Sequence, residues 1–237
     1  MRVLDVRGLS YVYPGGQQAL RDISFGLEEG EALIIIGPNG AGKSTLLHHL
    51  VGLLSATAGS IEVVGYPLNT KNLKQIRRFV GLVCQDPDDQ LFCPTVFDDV
   101  AFGPLNQGMT SDEVKKCVAQ ALELVGMEGA AEKAPYHLSL GERKRVALAC
   151  VLASTPRILV LDEPSANLDP GGKWELIELL KQLSGSKIIV THDLELASEL
   201  ATKIMVMNQG EVVALSGAKE ILADKGLLSA HRLIRPR

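Results

Sequence analysis

Cysteine is scarce in this chain of 237 residues. The four present, Cys84, Cys93, Cys117 and Cys150, are widely spaced and form no C-x-x-C pair. Neither a disulfide framework nor a zinc site is therefore expected, and a reducing compartment fits. A basic surplus is missing too. The formal charge is −4 and the pI is near 5.8, which argues against a dedicated nucleic-acid binder. Long apolar runs are also lacking: stretches such as residues 146–153 fall well short of a membrane span, and the N-terminus shows no charged-then-apolar leader. If the protein works at a membrane, another subunit is expected to supply the span. Internal repeats and low-complexity linkers are not seen. The length suits one large α/β domain, or a domain with a subdomain.

What is present centres on Gly37-Pro38-Asn39-Gly40-Ala41-Gly42-Lys43-Ser44-Thr45, set between the apolar run Ala32-Leu33-Ile34-Ile35-Ile36 and Leu46-Leu47-His48-His49-Leu50. That is strand, glycine loop and helix. The loop fits G-x-x-x-x-G-K-[ST], in which glycines let successive backbone N–H groups curl around phosphate oxygens at a helix N-terminus, where the dipole favours anions. Lys43 is expected to reach the β- and γ-phosphates, Ser44 to put its hydroxyl on Mg²⁺, and Thr45 to bond the next phosphate inward.

Around this loop the pattern predicts a β-rich opening, with strands over 2–13, 19–27 and 32–36 and a break at Pro14-Gly15-Gly16. A helix over 43–53, a strand over 60–64, a turn at Gly65, a polar helix about 72–78 and a strand over 79–84 follow. Residues 85–94 are polar, carry two prolines and read as a loop. Helices are expected at 96–102 and 111–125, the second with an apolar face of Val114, Val118, Ala121, Leu122 and Val125 and a capping box of Thr110 and Glu113. The α/β pattern then returns: helix 141–154, strand 158–161, helix 170–184 with Asp169 as N-cap and Pro170 at its first position, strand 187–190 and helix 193–200. A strand pair at 203–207 and 211–214 and a short helix near 218–223 complete it. The expectation is a single domain over 1–237, with 1–85 and 156–237 as catalytic core plus β subdomain and about 86–155 as a helical subdomain.

Three of the strands run into polar groups: residue 36 into the glycine loop, 161 into Asp162-Glu163, and 190 into Thr191-His192. Ligands of parallel sheets sit outside the carboxyl ends of strands, so these ends should converge. Asp162 suits Mg²⁺, directly or through water, opposite Ser44. Glu163 is placed to orient or deprotonate a water attacking the γ-phosphate. His192 could donate to that phosphate, and Gln85, opening its loop, could bridge the metal or the water. Tyr13 could stack on a base. Ser139 and Glu142 read as a capping box, and a capped helix start with a serine and Gly141 is also a phosphate site, one that a second subunit could fill.

Taken in order, these stretches resemble the nucleotide-binding subunit of ABC transporters, over nearly the whole chain. Gly37 to Thr45 looks like Walker A, Gln85 the Q-loop, 138–142 the signature, 158–163 Walker B, Ser165-Ala166-Asn167-Leu168-Asp169 the D-loop and His192 the switch histidine. Tyr13 matches the family's adenine-stacking aromatic. The resemblance implies a P-loop NTPase core of α/β class, a β-rich N-terminal subdomain and a helical signature subdomain. It implies ATP and Mg²⁺ as ligands. It further implies a second ATPase subunit, identical or related, packed head to tail with each ATP between one Walker A and the other signature, and Asp169 bridging to that subunit. A transmembrane coupling protein and a substrate-binding membrane component would place the chain peripherally on the cytoplasmic face of the cell membrane. Residues 85–92, 100–104 and 167–170 look more narrowly like the energy-coupling-factor importers, above all the cobalt/nickel ATP-binding subunit. The signature departs from Leu-Ser-Gly-Gly-Gln at Leu140 and Glu142, which leaves lowered turnover open. A vitamin importer, a soluble ABC-type switch and a regulator without useful catalysis are the competing readings. Arg232, Arg235 and Arg237 form a basic tail, read as solvated.

Overall fold

The structure is a computed structural model that describes residues 1–234, so Arg235 and Arg237 of the basic tail lie outside the described residues. Strands β1 (Arg2–Val12) and β2 (Gln18–Glu28) form an antiparallel hairpin. Next come β3 (Ala32–Ile36), the glycine loop and helix α1 (Lys43–Leu50). Then follow β4 (Ala58–Val63), β5 (Tyr66–Pro67), α2 (Leu73–Phe79) and β6 (Val80–Val83). A helical stretch contains α3 (Val96–Asn106), α4 (Ser111–Leu124) and α5 (Leu140–Leu152). The chain closes with β7 (Ile158–Asp162), α6 (Pro170–Gln182), β8 (Ser186–Val190), α7 (Leu194–Leu200), β9 (Lys203–Asn208), β10 (Glu211–Gly217), α8 (Ala218–Ala223) and α9 (Lys225–Ala230).

Two sheets result. β2-β1-β4-β5 is antiparallel, and β10-β9-β3-β8-β7-β6 is parallel except for its edge pair β9–β10. Every residue of β3, β7 and β8 is buried, as expected for strands covered on both faces. Alternation along β3 divides the core: Leu33 and Ile35 join α1 and the antiparallel sheet, while Ile34 and Ile36 join the helices α3 to α7. Among the described residues no helix is long and apolar enough to cross a membrane.

The elements expected from the sequence are present; besides shifted ends and the added two-residue strand β5, they differ as follows. Helix α1 stops at Leu50, where Val51 leaves helical geometry and Gly52 follows at φ 68°. Helix α3 runs four residues beyond 102, through Gly103 and Pro104. A Cβ on Gly103 would lie 2.2 Å from the Ser154 hydroxyl oxygen, so the glycine lets this helix press against the end of α5. The loop at 85–94 contains a single 3₁₀ turn, Pro87–Asp89, capped by the Asp86 side chain. Helix α9 follows α8 where no further helix was expected, with Asp224 accepting from the Leu227 N–H.

Candidate active site

Register brings the polar strand ends together. Ile35 of β3 pairs with Val190 of β8, Val190 with Asp162 of β7, and Leu161 with Val83 of β6. One or two residues further on, the four strands release Gly37, His192, Glu163 and Gln85 at the same edge. Asn39 to Thr45, Gln85, Glu163 and His192 line one cleft of about 340 Å³. The convergence expected of the strand ends is therefore a consequence of strand pairing.

The glycine loop has backbone demands that only glycine meets. A Cβ on Gly37 would stand 2.2 Å from the Met207 carbonyl oxygen, and one on Gly42, which caps α1 at φ 97°, would stand 2.6 Å from the Ala19 carbonyl oxygen. The buried Lys43 ammonium donates to the carbonyls of Gly37 (2.8 Å) and Pro38 (3.1 Å), closing the loop on itself. Burial lowers the Lys43 pKa, and the nearby carboxylates of Glu163 and Asp162 oppose that shift.

Asp162 is 8% exposed, and burial raises its pKa, with the Ser44 hydroxyl acting in the opposite sense. Its Oδ1 is buried with no hydrogen-bond partner. Glu163 has left-handed backbone geometry (φ 44°), its N–H donating to the Val190 carbonyl at 2.8 Å. Its Oε2 lies 2.9 Å from His192 Nδ1 and accepts from the His192 backbone N–H at 3.3 Å. His192 thus contacts Glu163 rather than standing apart from it. Tyr13 touches the end of the loop through its hydroxyl, 3.0 Å from Thr45 Oγ1, and packs edge-on to Tyr11, which in turn packs on His49.

Ser139, Gly141 and Asp169 do not line this cleft. Ser139 and Glu142 form the expected capping box on α5, and Gly141 stands beside Leu168. Asp169 caps α6, accepting from the Gly172 N–H at 2.6 Å. Leu140 faces a second cleft, of about 310 Å³, with Gln85, Asp86, Lys144 and Asn167 among its walls.

Two residues with a place beside the cleft were not singled out from the sequence. The Gln90 amide accepts from the Cys84 N–H (3.1 Å) and donates to the Ala147 carbonyl (2.7 Å). The buried Lys144 ammonium donates to the Pro164 carbonyl at 3.0 Å. A signal existed for the lysine: helical phase puts Lys144 on one face with Ala147, Leu148 and Val151, the apolar stripe of α5. For Gln90, inside a polar loop, no signal existed.

Chemically, a glycine loop at a helix start, an ammonium, a buried carboxylate with one oxygen unpartnered and a second carboxylate facing a histidine offer a place for a polyphosphate and for proton transfer at its end. The comparisons with known proteins agree. The ABC transporter family profile matches residues 20–166. The energy-coupling factor transporter ATP-binding protein EcfA of Methanothermobacter thermautotrophicus is 48% identical over 99% of this chain and 77% of its own length. Among solved structures, cbiO1 of Clostridium perfringens, described as part of the ABC transporter complex cbiONQ, superposes with a TM-score of 0.86 at 38% identity, over 100% of this chain and 96% of its own. A dimeric ATP-binding cassette in a post-hydrolysis state with ADP and phosphate gives 0.82 at 28% identity, over 91% of this chain and 98% of its own. This chain belongs to the ABC transporter family, among the ATP-binding subunits of energy-coupling-factor type, and is an ABC ATPase.

Proposed function

We propose that the chain powers an energy-coupling-factor importer for cobalt or nickel ions. It would do so peripherally, on the cytoplasmic face of the cell membrane, with a second ATPase subunit, a transmembrane coupling protein and a substrate-binding membrane component. The observation that carries the reading is the single cleft shared by the glycine loop, Gln85, Glu163 and His192. The resemblance of residues 85–92, 100–104 and 167–170 to the cobalt/nickel ATP-binding subunit supports the choice of metal ion over vitamin.

In this reading the N–H groups of residues 39–45 and the Lys43 ammonium hold the ATP phosphates, Thr45 bonds an inner phosphate, and Tyr13 stacks on the base. The partnerless Asp162 Oδ1 and the Ser44 hydroxyl, with Gln85, suit a magnesium ion, which when bound would neutralise phosphate charge. Glu163 takes the proton from water as the water oxygen bonds to the γ-phosphorus. The bond from that phosphorus to the β–γ bridging oxygen breaks, and ADP and phosphate leave. His192, hydrogen-bonded to Glu163, orients that carboxylate and donates toward the γ-phosphate. Ser139, Gly141 and Asp169, outside the cleft, act on the nucleotide and loop of the second subunit.

Purification with the co-purifying membrane subunits, reconstitution in vesicles and assay of ATP turnover tests this reading. Stimulation by cobalt or nickel ions is expected. Stimulation by a vitamin instead, or purification with soluble partners alone, would overturn the cargo or the importer.

A further inference from the structure

We infer that Lys144, on the helix that starts at the signature, is a positioning residue for Glu163, tying the movement of that helix to the geometry of the carboxylate within the same subunit. The inference rests on the reading of Glu163 as the base. It begins from the backbone: Glu163 is not glycine yet holds φ 44°, and Asn167, at the other end of the same turn, holds φ 61°. Such a conformation persists only where its surroundings impose it.

Two of the bonds imposing it lie within the sheet and the turn. The Glu163 N–H donates to Val190, and the Glu163 carbonyl accepts from the Ala166 N–H at 3.1 Å. His192 holds the side chain, and further support for the main chain comes from the helical stretch. Lys144 Nζ crosses from α5 to donate to the Pro164 carbonyl at 3.0 Å and, at 3.4 Å, to the Glu163 carbonyl. Lys144 is 8% exposed, and no carboxylate lies within salt-bridge distance of it among the described residues. Packing alone would be met by a leucine or methionine, without burying a charge. What the lysine adds is a directional hold on two main-chain carbonyls.

The same helix holds the other loop of the site. Gln90 joins the Ala147 carbonyl, one turn beyond Lys144, to the Cys84 N–H just before Gln85, and Arg143 pairs with Asp88 at 3.1 Å. A shift of α5 therefore pulls on the main chain next to Gln85 and on that of Glu163 together. The cleft between Leu140, Gln85 and Asn167 leaves α5 room for such a shift.

The test uses Lys144→Met, Lys144→Arg and Glu163→Gln in the full chain, purified with whatever subunits accompany it. Steady-state ATP turnover, nucleotide affinity and melting temperature are measured for each. Because misplacing a reacting group by about 1 Å costs up to ~100-fold, Lys144→Met should lower kcat about 10- to 100-fold with KM for ATP within about twofold of wild type. Lys144→Arg should recover part of the loss. The double variant with Glu163→Gln should be no slower than Glu163→Gln alone, since both act through one group. Wild-type kcat in a folded Lys144→Met, with Glu163→Gln inactive, would overturn the inference and leave the reading of Glu163 standing. Wild-type turnover in Glu163→Gln would instead overturn that reading. Should the methionine variant not fold, Lys144→Gln is judged by the same kcat and KM criteria.

Discussion

The loops on the two sides of the cleft are held by different forces. On one side, β3, β7 and β8 are buried along their whole length, and the loops that leave them inherit their positions from parallel pairing. On the other, Val114, Val118 and Leu122 of α4 and Val146 and Leu148 of α5 share an apolar core with Ile34, Ile36, Val83 and Leu161 of the sheet, but α5 reaches the loops of the site through polar contacts from Arg143 and Lys144 and to Gln90. Apolar burial is non-directional and resists separation, whereas a few hydrogen bonds of about 1 kcal/mol net each can be exchanged. The glycine loop is therefore the fixed jaw, and the loops at 84–90 and 163–164, tied to α5 by polar contacts, make up the movable side.

This contrast can be broken from either side. The largest effect is expected on the fixed jaw. Gly37→Ala would drive a Cβ into the Met207 carbonyl, and with overpacking costing about 1–3 kcal/mol, chemical denaturation should register a loss of that size together with lost ATP binding. On the movable side, Gln90→Leu leaves the Cys84 N–H and the Ala147 carbonyl without that partner, at about 1–3 kcal/mol. Hydrogen exchange should then quicken in α5 and at residues 84–90 while β3 and β7 keep their protection. Equal quickening in β3 would erase the distinction. Ser139→Ala removes the cap of α5 and should cost about 1 kcal/mol in unfolding, again with local exchange at the helix start.

The smallest shift has the opposite sign. Burial raises the Asp162 pKa in the folded chain, so the unfolded chain gives up that proton at lower pH, and the ionised carboxylate opposes folding once the pH climbs through the carboxylate range. Asp162→Asn should therefore raise the melting temperature of the nucleotide-free protein at neutral pH and match wild type near pH 3, where the carboxyl is protonated in both states. A lower melting temperature at neutral pH would show that the carboxylate has a stabilising partner.

The fixed jaw was also the more legible in the sequence. A phosphate loop is local: its glycines, lysine and flanking strand and helix are contiguous, and an apolar run such as 32–36 or 158–161 can only be a strand covered on both sides. The capping boxes at Thr110 and Ser139 were legible for the same reason, three residues apart on one helix turn. What escaped depended on contacts between distant residues. The glycine and proline of α3 look like a stop until Ser154 is seen against Gly103. Lys144 had only the phase of α5 to mark it as inward, with its Pro164 partner 20 residues away, and Gln90 gains its two partners from 6 and 57 residues away. The functional assignment of Glu163 was read from its place at a strand end beside Asp162; its strained backbone and its bond to His192 emerged only from the fold.

Glu163→Gln tests most directly the proposal that this cleft hydrolyses ATP with Glu163 as the base. Retained ATP affinity, a nucleotide-dependent dimer on sizing, and turnover lowered by about 100- to 10,000-fold, the usual contribution of a positioned base, are expected. Hydrolysis at the wild-type rate in that variant would contradict it.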